Sequence, residues 1–328
     1  MNNSYKIWFS SLDNYWKLKI VRAPFKNWTD KQKVLLKKQY NSLEIEKIVS
    51  DIRELSFYDT NSIDDMDFID PSSFAFNLMK SKLKKENREV MTNIPDLSPL
   101  KNLLEFHIGK ECKFKNIDNI KTCTNIEYLS IQNFKIDNIE FVSSLHNLKR
   151  LELFHTKVSN LNCIVNLVNL EHLKFTKHFS DTEIRINDLS PLSKLTKLKT
   201  LHISEDVKDI ELIKNLSNLE EFSCRKIESF EHLRNLKKLK KLRCAFKNKN
   251  TVSDLSPLSE LRNLEHLDIS FSNISDLSPI YNLKNLKLLV YKDTPLDEEH
   301  KNFWKRIFGS TEIQKFRKIN PNCDLRKY

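Results

Sequence analysis

The pattern Leu-x-x-Leu-x-Leu, or an apolar stand-in at each place, returns along this chain from Leu103 to Tyr291. Its first positions are Leu103, Ile126, Leu148, Leu170, Leu198, Leu219, Leu239, Leu264 and Leu286. Successive starts lie between 20 residues apart (Leu219 to Leu239) and 28 residues apart (Leu170 to Leu198). Self-similarity at such a period is the signature of a solenoid, whose units bury their apolar faces by stacking on one another. The repeat thereby assigns nearly every apolar residue to a core. What remains for function is exposed surface.

Within each unit the last two apolar positions are two apart, as in Leu151-Leu153, Leu201-Ile203 and Leu267-Ile269. That is strand periodicity, so these residues point inward and those between and beside them point out. Cys224, Cys244 and Tyr291 fill the last inward position of their units, where cysteine serves as a small hydrophobe. The segment leading into each strand has apolar residues three apart, as in Ile274, Leu277, Ile280 and Leu283. This spacing suits a short 3₁₀-like or irregular arm. Pro99, Pro191, Pro257 and Pro279 recur at one place in four arms, and a residue without an N–H keeps the arm out of the ladder. Asn102, Asn125, Asn147, Asn169, Asn218, Asn263 and Asn285 precede the first strand Leu or Ile and are expected to hydrogen-bond backbone at the turn. Ile52-Leu55-Phe57 and Phe76-Leu78 read as two earlier strands, with Ile63 and Met66 in the arm between them. The expected count is about eleven strands.

These units read x-I-x-D-L-S-P-L-x-x-L-x-N-L-x-x-L-x-L. They resemble the leucine-rich repeats of bacterial internalins and of a phosphatase regulatory subunit of the same repeat class. The likeness is close over residues 94–108, 136–224 and 252–296. It implies an α/β solenoid: a right-handed curved leucine-rich repeat array with parallel strands on the concave face, used for protein binding.

An open solenoid end exposes core, so covers are expected. Residues 1–45 read as a helical N-terminal cap, with apolar-striped segments over Leu12 to Val21 and Lys31 to Tyr40. Residues 46–296 read as the solenoid, with polar insertions near 80–92, 177–185 and 247–251 as surface loops. Residues 297–328 read as a helical C-terminal cap. There Asp297 caps a helix carrying Phe303, Trp304 and Ile307, and a second helix spans about Glu312 to Lys318.

Composition excludes several function classes. Only Gly109 and Gly309 occur, so no glycine-rich loop can bring backbone amides against a phosphate. No apolar stretch approaches the roughly 18 residues that a bilayer span needs, and the N-terminus does not read as a secretory signal. The six cysteines contain no C-x-x-C pair and read as reduced thiols of a cytoplasmic protein. No H-E-x-x-H is present, and His172 and His202 fall in different outward columns, so no metal site and no cofactor are expected. Glu152, Glu221 and Asp268 are scattered over the outward face, so paired carboxylates are not expected there and the chain reads as no enzyme.

The outward residues follow from the register. Tyr128 and Phe154 fall near Arg150, His172 and Lys174. Farther along, Arg225, Lys241 and Arg243 neighbour Phe246 and Phe271. Exposed aromatics with arginine are the composition of interface hot spots. These two groups are expected to bind a protein partner that presents acidic residues around apolar anchors, the chain being a monomer when unbound. A net charge of +11 favours such a partner. A second reading assigns nucleic acid to the basic, aromatic N-terminal region, where Lys17, Lys19, Arg22 and Lys26 interleave with Tyr15, Trp16, Phe25 and Trp28. A third, by analogy of fold, is a microbial defence, toxin-neutralising or host-interaction protein.

Overall fold

The computed structural model describes residues 4–12, 42–57, 94–109, 116–132, 136–176, 186, 188–206, 210–244, 252–299 and 311–327. The chain forms two compact units, Met1–Val158 and Ser159–Tyr328. The first holds helices α1 (Ser4–Ser11) and α2 (Ser42–Asp51) and strands β1 (Glu54–Phe57), β2 (Glu105–Ile108), β3 (Tyr128–Gln132) and β4 (Arg150–Phe154). Each strand pairs in parallel with the next. The second holds β5 (His172–Thr176), β6 (Thr200–Asp206), β7 (Glu221–Lys226), β8 (Lys241–Arg243), β9 (His266–Asp268) and β10 (Leu288–Val290). Helices α3 (Pro295–Glu299) and α4 (Glu312–Ile319) and strand β11 (Asp324–Arg326) complete it. Its strands are also parallel and in chain order. One strand per repeat with a 3₁₀ arm returning to the next makes an α/β leucine-rich repeat solenoid.

The first leucine of each motif is not in the strand. Its amide closes the last turn of the arm: Leu103 donates to the Leu100 carbonyl (3.0 Å), Leu148 to Leu145 (2.9 Å) and Leu264 to Leu261 (2.9 Å). Strands therefore begin two residues later than the apolar pattern suggests. All three leucines are fully buried, as are Leu151, Leu153, Leu201 and Phe175. The core lies between strands and arms within each unit.

The Asp-Leu-Ser-Pro box starts the arm. Asp96 accepts the Ser98 amide and the Ser98 hydroxyl, both at 2.9 Å. Asp188 and Asp276 repeat this with Ser190 and Ser278, all at 2.8 Å. Such Asx turns open the 3₁₀ turns Ser190–Lys194 and Ser278–Ile280, with proline in the first turn, where its missing N–H costs nothing. The bonds from Ser190, backbone amide first, hold the Asp188 carboxyl below its ordinary value.

The asparagines preceding the strands bond backbone, and they do so across repeats. Asn125 donates to Lys101 (2.6 Å), Asn147 to Thr124 (3.1 Å), Asn218 to Thr196 (2.9 Å) and Asn285 to Arg262 (2.8 Å). A second ladder links charges one residue before the strands, at Glu127–Lys149 (2.8 Å), Glu171–Lys199 (2.6 Å), Glu220–Lys240 (2.7 Å) and Glu265–Lys287 (2.7 Å). These pairs are solvated, so each contributes about 0–1 kcal/mol, and the ladder aligns repeats more than it stabilises them.

The ends differ from expectation in part. Helix α2 buries Ile45 and Val49, one turn apart, and Asn102 donates to its Ser50 carbonyl (2.9 Å), so α2 joins the stack directly. Helix α1 lies within residues 1–45, read as a helical cap, in a stretch where no particular helix was expected. The segments from residue 13 to Tyr40, the strand at Phe76-Leu78, the insertions near 80–92, 177–185 and 247–251, and Phe303, Trp304 and Ile307 lie outside the described residues. β1 pairs directly with β2, in the register Glu54 to Glu105. Asp297 does not cap a helix. Helix α3 begins two residues earlier, at Pro295, because proline is favoured at a first helical position. Asp297 instead meets the Lys327 ammonium at 2.8 Å.

Helix α4 lies where expected and carries a capping box between Thr311 and Gln314, with Ile313 and Phe316 buried. It is followed by β11, a strand with no leucine motif that adds a last rung beside β10. Thr311→Ala removes the cap from a buried position and is expected to cost about 1 kcal/mol. A urea titration reads this as a lower midpoint at unchanged slope. An unchanged midpoint contradicts it.

Candidate functional site

In the first unit the outward residues of β2, β3 and β4 stand in the expected register, Glu105 beside Tyr128 and Tyr128 beside Arg150. Their exposure is not as expected. The middle column, His107, Ser130 and Glu152, is buried, with Glu152 at 6% exposure. Its neighbours close over it. The Tyr128 hydroxyl donates to Glu152 (2.7 Å), the Arg150 guanidinium lies 5.0 Å above the Tyr128 ring, and the His107 ring meets that ring edge-on at 4.5 Å. Burial first, then the bond to the Glu152 carboxylate, pushes the Tyr128 phenol up to about 12. Tyr128 is thus half-buried and Phe154 is half-buried at the end of β4. What this group presents to solvent is a cation backed by aromatic rings.

Tyr128→Phe takes a donor from a buried carboxylate and is expected to cost about 1–3 kcal/mol. The folded phenol titrates above its unfolded value of 10.0, so the bond's stabilisation is complete below pH 10 and is lost as pH rises toward about 12. Phenolate absorbance that reports Tyr128 ionising near its unfolded value of 10.0 contradicts this.

The second unit carries the remaining residues. His172 Nδ1 lies 3.0 Å from the Thr200 hydroxyl. Lys174 pairs in register with His202, and His202 with Ser223. The Lys241 ammonium meets Glu221 at 2.6 Å, and Arg243 Nε meets Asp268 at 3.3 Å. Arg225, Lys241 and Arg243 are exposed, whereas Asp268 is buried beneath Arg243. Burial and the Lys174 charge lower His202, against an opposing pull from Glu221, so the imidazole is neutral near pH 7. Burial raises the Glu221 carboxyl, but the bond and charge of Lys241 outweigh it, and the net shift is downward. The face is a cationic surface in which Glu221 and the buried Asp268 each pair with one cation.

Phe271 sits in a turn after β9 with φ of 62°, half-buried, and the Lys292 ammonium lies 5.9 Å over its ring. His155 and Asp293 take the same left-handed conformation two residues past an inward strand position, at φ of 54° and 52°. Non-glycine residues fill these corners of a chain with two glycines. Phe246 lies outside the described residues. Because Tyr128, Arg150 and Phe154 belong to the first unit and His172 and Lys174 to the second, the first group named from the sequence is carried by two units.

Paired carboxylates do occur on the outward face. Glu54 and Glu105 are direct partners across β1 and β2, and with His107 they place one ligand atom each within 4.8 Å of the others. The expectation of no paired carboxylates weighed Glu152, Glu221 and Asp268 alone, and it fails at this pair. Cys224 and Cys244 face the core as expected, with sulfurs 3.6 Å apart. No helix among the described residues is long and apolar enough to cross a membrane.

Comparison with known proteins agrees with this geometry. A search of the curated proteins gives no match. Among solved structures, internalin C2 of Listeria monocytogenes is 21% identical with a TM-score of 0.51, over 88% of this chain and 96% of that one. The internalin InlF of the same organism is 16% identical with a TM-score of 0.50, over 90% of this chain and 85% of that one. At such identities the likeness concerns the fold. A family model described as a leucine-rich repeat region matches residues 108–296, more than half of the chain, and the protein belongs to the leucine-rich repeat family.

Proposed function

We propose that the protein is a non-enzymatic adaptor that binds a protein partner through the outward strand face. Solenoids of this family commonly serve as protein-binding scaffolds. The observation that carries the reading is the cationic group of Lys174, Arg225, Lys241 and Arg243 on one strand face, with the leucines committed to the core. Its charge suits a partner with acidic residues, and the aromatic-backed Arg150 suits a carboxylate beside an apolar anchor. The helices at either end act as covers of the array. In this reading the unbound protein is a monomer. It works in a reducing compartment such as the cytoplasm, where the buried thiols Cys123, Cys163, Cys224, Cys244 and Cys323 stay reduced.

Capture from native lysate tests this, with and without nuclease, beside an Arg150→Glu/Phe154→Ala variant. A protein that survives nuclease and is lost with the variant supports the adaptor. Recovery that requires nucleic acid and ignores the variant replaces it with binding through the basic N-terminal region.

A further inference from the structure

On the strand face of the second unit, one row of side chains carries donors that no neighbour takes up. Parallel pairing sets Lys174 of β5 beside His202 of β6, His202 beside Ser223 of β7, and Ser223 beside Arg243 of β8. Each step is about 4.8 Å, so the row spans about 14 Å. It ends at β9, where Asp268 is buried in register with Arg243. Asp268 Oδ1 accepts the Ser270 amide at 3.0 Å, and Oδ2 meets Arg243 Nε at 3.3 Å. The buried carboxylate is thus a fixed post for a side chain that is itself 72% exposed. It holds the guanidinium by one nitrogen, and among the described residues both Nη groups have no partner. Ser223 is half-buried between His202 and Arg243, and among the described residues its hydroxyl makes no hydrogen bond. His202 is half-buried as well, with Glu221 3.8 Å from its Nε2, beyond hydrogen-bond reach. Burial, then the Lys174 charge, depresses the imidazole; Glu221 opposes this, and Arg243 and Lys241 add to it. Three cations therefore act on one point of the row against one carboxylate.

We propose that His202, Ser223 and Arg243, under the charge of Lys174, form a site for a phosphomonoester, carried as phosphoserine or phosphothreonine on the partner protein. The inference rests on the adaptor reading and names the group that the face recognises. A phosphomonoester brings a charge of about −1.5 to −2 at pH 7 and three acceptor oxygens. The Arg243 fork matches two of those oxygens, and the Ser223 hydroxyl and the His202 N–H donate to them from the adjoining strands. Lys174 adds the second positive charge from β5. A carboxylate has two oxygens and one charge, so it would leave part of the row unused. A nucleic-acid strand fits less well. Its diesters carry one charge each and run on past the row, where Asp268 closes the end and Glu221 stands beside it.

The test uses the full chain and a fluorescein-labelled alanine pentapeptide with a central phosphoserine, followed by anisotropy. Counterparts carry serine or glutamate at the centre. Wild type is expected to bind the phosphopeptide at least about tenfold tighter than the glutamate peptide. Ser223→Ala, which removes one donor and no charge, is expected to weaken it about threefold or more. Arg243→Lys keeps the charge and loses the fork, and is expected to cost about fivefold. Arg262→Gln, on an exposed arm, leaves the affinity unchanged. Circular dichroism confirms that each variant is folded. Equal affinity for the phosphoserine and glutamate peptides overturns the site and leaves the adaptor reading standing, since that reading is tested separately by lysate capture with Arg150→Glu/Phe154→Ala. The site is also overturned by phosphopeptide affinity that is the same in wild type, Ser223→Ala and Arg243→Lys, or by no binding. Oligouridylate that binds more tightly and displaces the phosphopeptide makes the row a nucleic-acid contact instead.

Discussion

Phe175→Ala is expected to destabilise the second unit by about 3–5 kcal/mol. Phe175 is fully buried in β5 and pairs in register with Ile203 of β6. Truncation to a methyl loses the transfer energy of the ring and leaves a cavity, which close-packed neighbours fill only in part. A solenoid unit touches only its neighbours, so the damage is local at first. Amide exchange should accelerate in β6 before it does in β10. Val168 provides the comparison within the same repeat: it is 51% exposed, so Val168→Ala should stay within about 0.5 kcal/mol. If the two variants unfold at the same denaturant midpoint, the inward register given to β5 is wrong.

Lys241→Glu/Arg243→Glu is expected to weaken partner binding by about 2 kcal/mol or more, a factor of roughly thirty. Both side chains are exposed at the surface of β8. Reversal sets a new carboxylate against Glu221, which Lys241 contacts at 2.6 Å, and another above the buried Asp268. Some stability is lost for that reason, so a second variant is needed to keep binding and folding apart. Lys241→Gln/Arg243→Gln removes the cations without adding charge and is expected to lose a smaller part of the affinity. Because rim charges steer encounter, the loss should shrink as salt rises. Affinity for the captured partner that is the same in all three proteins, each shown to be folded, removes this face from the interface.

The repeat made most of the fold legible in advance. Leucine spacing located nine strands and the arms between them, since apolar periodicity records which side of the chain faces the core. The prolines and the Asp-Leu-Ser-Pro box located the arm turns for local reasons that need no tertiary knowledge. β11 was not legible, because Asp324-Leu325-Arg326 offers one apolar residue and owes its pairing to β10. The outward face was legible as register but not as exposure. Column positions are set by the two-residue period, whereas the burial of Glu152 comes from Tyr128 and Arg150 closing over it from neighbouring strands. Glu54 was missed for a topological reason. Glu105 and His107 fall on outward positions of the Leu103 unit, but a strand expected at Phe76-Leu78 sets Glu54 a rung away. Only direct β1–β2 pairing brings the three together.

The most direct test of the binding face is a lysine acetylation footprint of the protein, free and in its captured complex. Lys174 and Lys241 lie on outward strand positions, and Lys121 and Lys194 lie on the 3₁₀ arms. Binding through the strand face protects Lys174 and Lys241 and leaves Lys121 and Lys194 as reactive as in the free protein. Protection of the arm lysines with unchanged reactivity at Lys174 and Lys241 contradicts it.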